Sequence, residues 1–432
     1  MGSRYRWLVF SIFFLFMLVH QADKLLIGPL TTPIMESFGI DEAQMGAVSS
    51  FAIIVAAIFY PIWGYLYDRY ARAKLISLAS FIWGSTTWLN ALAPNYTIFL
   101  LTRGSTGIDD SSYPGIHSLL SDYFEPSVRS RVWGILSASG PLGYVLGMVL
   151  AVALSGSIGW RGVFFVTGTM GILIAALILL GVREMPRGRA EPEFAGLEII
   201  PTYHFDPKAV KGLLRNPSMR FLLIQGFFGV FPWNALTYWV FRYLETERGY
   251  TTAEAAIIMI VAIAALTVGG IIWGFLGDLL FKRTQRGRAL LCTIVVFSGA
   301  ISLLAALTVP IENRPLFLTL IALTAFIIPV GAANVTPIIQ DIVEPEIRST
   351  AQALQGFTEN IGSGLAPFMV GLIAVQSSLG YAILLIGVST WILCSLFFGL
   401  LTLRVPRDME RLRMLMRERA RMGKTISEPS KP

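Results

Sequence analysis

Twelve stretches of about 20 apolar residues run through this chain, and no other feature of it limits the fold so strongly. A helix rising about 1.5 Å per residue needs roughly 20 such residues to cross about 30 Å of hydrocarbon, where every backbone polar group must be satisfied within the segment. The windows fall at 7–34, 43–67, 74–93, 96–122, 130–155, 161–182, 219–245, 253–278, 288–309, 315–341, 349–375 and 381–404. They predict an all-α, multi-pass membrane protein with twelve transmembrane helices. Charge content agrees: 14% of the 432 residues are charged, against about 25% in soluble domains.

An even number of crossings puts both termini on one side. Of the 34 Lys and Arg, 28 lie on the side of the termini, 3 on the opposite side and 3 within windows. That bias predicts cytoplasmic termini, in a cell or inner membrane. The net charge of +7 then reports orientation and not a nucleic-acid partner. The N-terminal "MGSRYRWLVFSIFFLFMLVHQAD" has the basic and apolar regions of a secretory signal, but no convincing cleavage site, and is read as a retained first span. Cys292 and Cys394 stand in apolar windows as lipid-face or packing residues, so neither a disulfide framework nor a metal centre is expected, and no cofactor.

A polar, proline-containing stretch separates the sixth and seventh windows. The expected organisation is an N-terminal six-helix bundle at 1–183, a cytoplasmic linker at 184–217, a C-terminal six-helix bundle at 218–405 and a basic cytoplasmic tail at 406–432. If helical, the tail would turn Met409, Leu412 and Met416 toward the bilayer. The halves repeat. Gly39, Gly64 and Asp68 recur as Gly249, Gly274 and Asp278 at an offset of 210, and "DYFEPSVRS" at 122 recurs as "DIVEPEIRS" at 341. Parallel repeats about an axis along the membrane normal are a transporter plan, with the binding site near midplane between them.

The fourth window carries "RGSTGIDDSSY" at 103–113. On an unbroken helix Arg103, Asp110 and His117 share one face, with Thr106 and Tyr113 between them, while Asp109 points about 100° away and ranks below Asp110. Counting at 1.5 Å per residue sets Arg103 about 10 Å and Asp110 about 21 Å below the outer surface, with Asp23 near the level of Arg103. An Asp23–Arg103 pair is therefore feasible. Unpaired charges at such depth cost at least ~2.5–3.5 kcal/mol each, so they should face a wet cavity or one another. The reading is that Asp23 and Asp110 bind and release a proton while Arg103 alternates between carboxylate and substrate. His20, Arg103, Tyr113, His117, Phe231, Trp233, Asn234, Asn334 and Glu359 are the expected cavity residues; for His20 a hydrogen-bonded core role, and for Asn334 interhelical bonding, are the alternatives. Arg242 is expected to pair locally with Glu245. Glycine-rich segments at 137–147 and 356–368 suggest sliding contacts between the halves.

"GYLYDRYARAK" at 64–74 resembles the G-x-L-x-D-R-x-G-R-K loop of the major facilitator superfamily, with Ala71 and Ala73 in place of its glycine and closing lysine; "GFLGDLLFKR" at 274–283 is a weaker copy. The resemblance implies the major facilitator fold, a pseudo-two-fold axis, and a cytoplasmic latch between halves built from Gly64, Asp68, Arg69, Arg72, Gly274 and Asp278. Within the superfamily the sequence resembles the Spinster-like group, whose fourth helix reads R-x-x-x-G-x-G-E-A-S-Y and whose first carries N-x-x-D-R, here "HQADK" at 20–24. That implies a proton-coupled secondary transporter for a lysolipid, sphingoid-type lipid or amphipathic organic ion, working as a monomer among membrane lipids by alternating access. "GWRGVFF" at 159–165 is shared with anion:cation symporters of sugar acids and aromatic acids, which sets the alternative substrate class. An intramembrane enzyme lacks H-E-x-x-H or G-x-S-x-G to work with, no nucleotide-binding P-loop is present, and a non-transporting receptor or channel would have no use for paired latch loops.

Overall fold

The structure, a computed structural model, describes residues 3–110, 112–186, 212–344 and 347–427, so most of the expected linker lies outside the described residues. The described residues are almost entirely helical, with no strand among them. In chain order the helices are α1 (Ser3–Leu25), α2 (Ile27–Phe38), α3 (Glu42–Arg69), α4 (Arg72–Leu92), α5 (Tyr96–Ser105), α6 (Gly107–Asp110), α7 (Tyr113–Tyr123), α8 (Pro126–Ser137) and α9 (Ser139–Gly181). Then follow α10 (Pro217–Gly229), α11 (Phe231–Thr246), α12 (Thr252–Arg283), α13 (Gly287–Thr308), α14 (Arg314–Ile327), α15 (Val330–Ile342), α16 (Arg348–Gln376) and α17 (Leu379–Ser427).

Eight helical stretches among the described residues are long and apolar enough to cross a membrane. Four are missing from the twelve windows: the fourth and seventh are broken, the fifth and sixth are fused into one, and the third, the 21-residue α4, is unbroken but rich in Ser, Thr and Asn side chains that lower its hydropathy. Proline removes an N–H and its ring crowds the carbonyl four residues earlier. Accordingly α1 stops at Leu25, four before Pro29, and α6 stops at Asp110, four before Pro114. Pro232 and Pro329 stand at the junctions of α10 with α11 and of α14 with α15. In the other direction, α9 fuses two windows: its 43 residues are interrupted at Gly159, whose φ of 68° and ψ of 171° turn the chain in a conformation that side chains beyond glycine rarely adopt.

Packing divides the chain into two compact units. The first comprises Met1–Tyr203 with Asn234–Ile263 and Ser363–Ile386. Its core is a cluster of buried aromatic and aliphatic side chains including Phe13, Phe16, Trp83, Ile116 and Leu120. An Asp41–Gln44 capping box starts α3 by satisfying backbone donors at both ends of the first turn. α9 lies close against α1, because a Cβ on Gly147 would collide with the carbonyl of Ala22. The glycines at 143 and 147 thus serve packing of the fifth window on the first, inside this unit. Segments from the C-terminal half are bound into the same unit: Tyr238 Oη donates to the carbonyl of Met45 at 2.7 Å, and Trp239 Nε1 to that of Pro367 at 3.0 Å.

The second unit comprises His204–Trp233, Ala264–Gly362 and Gly387–Pro432. Here α17 runs unbroken from the last window into the tail. Met409, expected to face the bilayer, is instead buried in protein, and Ser218 at the start of α10 hydrogen-bonds the neighbouring Asp408. The side chain of Met416 lies outside the described ones.

Candidate functional site

The ionisable residues of the first and fourth windows meet in the first unit, through two separate knots. In one, Arg103 Nη1 donates to Asp23 Oδ2 at 3.4 Å, while Thr167 Oγ1 on α9 donates to Asp23 Oδ1 at 2.8 Å. The Arg103 guanidinium also lies over the Phe164 ring, 5.6 Å from its centre. Both partners are buried. The pairing that depth alone made feasible is present.

The second knot centres on His20. Its Nε2 lies 2.7 Å from Asp109 Oδ2 and 3.4 Å from Asp110 Oδ1, and its Nδ1 meets the Tyr113 hydroxyl. Phe16 stacks on the imidazole with centroids 5.6 Å apart, and the edge of Trp83 closes in at 5.0 Å. Asp110 takes the Lys24 ammonium at 3.0 Å, and that ammonium sits 5.4 Å from the centre of the Tyr113 ring. Trp63 Nε1 donates to the carbonyl of Ile108 at 2.5 Å, which pins the short α6 carrying both aspartates.

This geometry departs from the single charged stripe. Because Pro114 ends the helix at Asp110, the 100° count does not run through to His117, which packs on Trp133 with ring centroids 4.8 Å apart. Arg103 and Asp110 have different partners. Asp109, ranked lower on the assumption of an unbroken helix, is fully buried at 0% exposure, and Asp110 is partly exposed. His20, Asp109 and Asp110 offer three ligand-type atoms within 4.8 Å of one another, but the Lys24 ammonium already supplies that group with a cation. We read it as an ion-pair network.

The C-terminal candidates divide. In the second unit Phe231 is buried with its ring 5.3 Å from Phe227, Trp233 is half-buried, and half-buried Glu359 accepts a hydrogen bond from Gln355 Nε2 at 2.8 Å. Asn334 is buried and its amide donates to the carbonyl of Trp273 on α12 at 3.2 Å, an interhelical bond, and to that of Val330 in its own helix at 3.0 Å. In the first unit Asn234 Nδ2 donates to Ser363 Oγ at 3.0 Å. Arg242 turns from its neighbour Glu245 to Glu42, at 2.7 Å, and Glu245 accepts from Thr32 at 2.9 Å and Thr252 at 2.5 Å. The expected local pair is replaced by a bridge across 200 residues of sequence.

The latch residues also behave differently from expectation. Arg72, at 1% exposure, is a buried hub at the start of α4: it donates to Asp122 at 2.5 Å, Glu184 at 2.9 Å, Ser118 Oγ at 3.0 Å and the carbonyl of Met185 at 2.6 Å. Exposed Arg69 bonds Tyr65. The side chain of Asp68 lies outside the described ones, and a Cβ at Gly64 would meet open space. In the second unit Arg288, at the start of α13, holds Asp278 and Asp341, each at 2.6 Å, while a Cβ on Gly274 would meet Ala333 in ordinary contact at 3.9 Å. Asp122 and Asp341 are the repeated aspartates of the two sequence copies, so Arg288 is the counterpart of Arg72, a residue the sequence reading missed. Each cluster, as described, ties helices within its own unit.

The Major Facilitator Superfamily pattern matches residues 10–301. The chain belongs to the major facilitator superfamily and is a multi-pass membrane transporter of that class. It is 28% identical over 401 residues to Protein spinster homolog 1 of Xenopus tropicalis, covering 88% of this chain and 76% of that protein. It is 24% identical over 381 residues to the Sphingosine-1-phosphate transporter SPNS2 of Danio rerio, covering 84% and 75%. Among solved structures, a bacterial homolog of the human lysosomal transporter Spinster, inward-facing and unoccupied, superposes with a TM-score of 0.80 at 22% identity, over 94% of this chain and 99% of that one. The Spinster-like resemblance read from the first and fourth windows is borne out by these relatives.

Proposed function

We propose that this chain is a proton-coupled secondary transporter that moves a lysolipid, a sphingoid-type lipid or an amphipathic organic ion by alternating access. Its twelve spans form two six-helix bundles, 1–183 and 218–405, joined by the 184–217 linker, with both termini and the 406–432 tail in the cytoplasm. It works as a monomer and needs no cofactor. The observation that carries this reading is the two ion pairs between the first and fourth windows, the buried Asp23–Arg103 and the partly exposed Asp110–Lys24. Charges kept at such depth are expensive and are retained where they bind or move something. Asp23 and Asp110 exchange the proton, and Arg103 trades Asp23 for an anionic headgroup. That two relatives carry the Spinster name and one is a sphingosine-1-phosphate transporter supports the lipid class. On the outer side, the Arg242–Glu42 bridge and the Tyr238–Met45 bond support a gate that seals one face while the other opens.

The organic-acid alternative rested on "GWRGVFF". Here Gly159 makes the turn, and Arg161 lies 4.1 Å over the Trp160 ring while donating to Ser37 Oγ at 3.1 Å and to the carbonyl of Ala93 at 3.0 Å. Those contacts staple outer loops and carry no substrate information. The test is a counterflow screen in proteoliposomes with sphingosine-1-phosphate, a lysophospholipid, a sugar acid and an aromatic acid at two pH values. Exchange of either lipid supports the reading, and exchange of the acids alone would replace it.

A further inference from the structure

The charge count of the two knots taken together is unbalanced. Asp23, Asp109 and Asp110 bring three carboxylates, and Arg103 and Lys24 bring two permanent cations. With a neutral imidazole at His20 the group carries one surplus negative charge in a region where uncompensated charge is costly. One added proton makes it neutral.

The contacts say where that proton belongs. Asp23 is satisfied on both oxygens, by Arg103 and Thr167, and Asp110 holds the Lys24 ammonium. Asp109 has neither a permanent cation nor a full set of donors: Oδ2 meets His20, and Oδ1 accepts no hydrogen bond from any described residue although it is buried. A buried carboxylate oxygen without a donor loses the solvation it had in water, whereas the carbonyl oxygen of a carboxylic acid tolerates that far better. His20 is built to share a proton with it. One ring nitrogen faces Asp109, the other faces the Tyr113 hydroxyl, and that hydroxyl donates to a neutral ring or accepts from a charged one, so either form is hydrogen-bonded. The other titratable or charged groups around the pair are Asp110 on α6, Lys24 on α1, Tyr67 on α3, Tyr113 on α7 and Tyr144 on α9.

We propose that the transported proton is held on the His20–Asp109 pair, with Tyr113 as the hydrogen-bond relay on the far side of the ring, and that the Asp23–Arg103 and Asp110–Lys24 pairs stay ionised in this conformation. Uptake adds one proton to neutral His20 and ionised Asp109, and release returns it; no bond between heavy atoms changes. Where the Spinster-like motifs quoted above have Asn and Gly, this chain has His20 and Asp109, two departures that touch each other. The proposal rests on the proton-coupled reading and relocates its proton.

The chain has three histidines, which makes histidine-selective 15N NMR of the full protein in nanodiscs practicable. One resonance should respond to pH, vanish in His20→Gln, and respond differently in the isosteric Asp109→Asn. Tyr113→Phe, which keeps the ring, should change the tautomer signature of the same resonance. A His20 signal that stays neutral from pH 5 to 8, or that titrates alike in the wild type and in Asp109→Asn, would overturn the proposal. Wild-type uptake of sphingosine-1-phosphate with and without a pH gradient separates the two ideas: gradient-independent uptake sinks the proton-coupled reading, whereas gradient-driven uptake with an unresponsive His20 sinks only the relocation.

Discussion

Replacing Arg72 by Ala is expected to lower stability by about 3–5 kcal/mol, read as detergent denaturation of purified protein, because Asp122 and Glu184 are left beside an empty place once filled by a buried cation. Arg72→Lys should recover only part of this, since a single ammonium cannot reproduce a fork that reaches Asp122, Glu184 and the Met185 carbonyl together. Equal stability of all three proteins would contradict the hub. Residues of this kind were half legible. Asp23 and Arg103 could be paired from depth alone, because both windows are regular up to those positions. Asp109 could not, since its direction depends on where the fourth window breaks. Arg288 was hidden by a register change between repeats: it has no "DR" neighbour like Asp68–Arg69, and only the repeated aspartates at 122 and 341 pointed toward it.

At the scale of elements, proline placement explains most of what apolar windows alone could not show. Pro114 frees the carbonyl of Asp110, and α6 becomes a four-residue segment that can aim Asp109 at His20 and Asp110 at Lys24. Pro114→Ala should let α6 and α7 join. Detergent stability is then expected to rise, by up to about 3 kcal/mol, while transport falls as the aspartates rotate; a destabilised variant would mean that packing, and not proline, imposes the break. The bridge between α3 and α11 gives a second test. Glu42→Arg or Arg242→Glu alone should cut uptake severalfold, and the double exchange should restore most of it, within the range of ~0.5–3 kcal/mol seen for contacting pairs. Failure of the double variant to recover would remove Arg242–Glu42 from the outer gate.

For the whole molecule, hydropathy carried the class, because it depends on sums over many residues and not on any one direction, and the Lys/Arg bias predicts an orientation on the same kind of sum. A fluorescent protein fused after Pro432 is expected to fluoresce, as only a cytoplasmic C-terminus allows; a dark fusion with an active periplasmic reporter would reverse the topology. Partner choice among charges escaped the sequence, since it follows from breaks, crossings and close approaches that the windows do not encode. The central claim is that buried ionisable groups of the first and fourth windows couple protons to movement of substrate. It is tested most directly by sphingosine-1-phosphate transport in proteoliposomes containing wild-type, Asp23→Asn, Asp109→Asn or Asp110→Asn protein, each assayed for gradient-driven uptake and for counterflow without a gradient. The account expects at least one variant to keep counterflow while losing its response to the pH gradient; gradient-driven uptake intact in all three variants would contradict it.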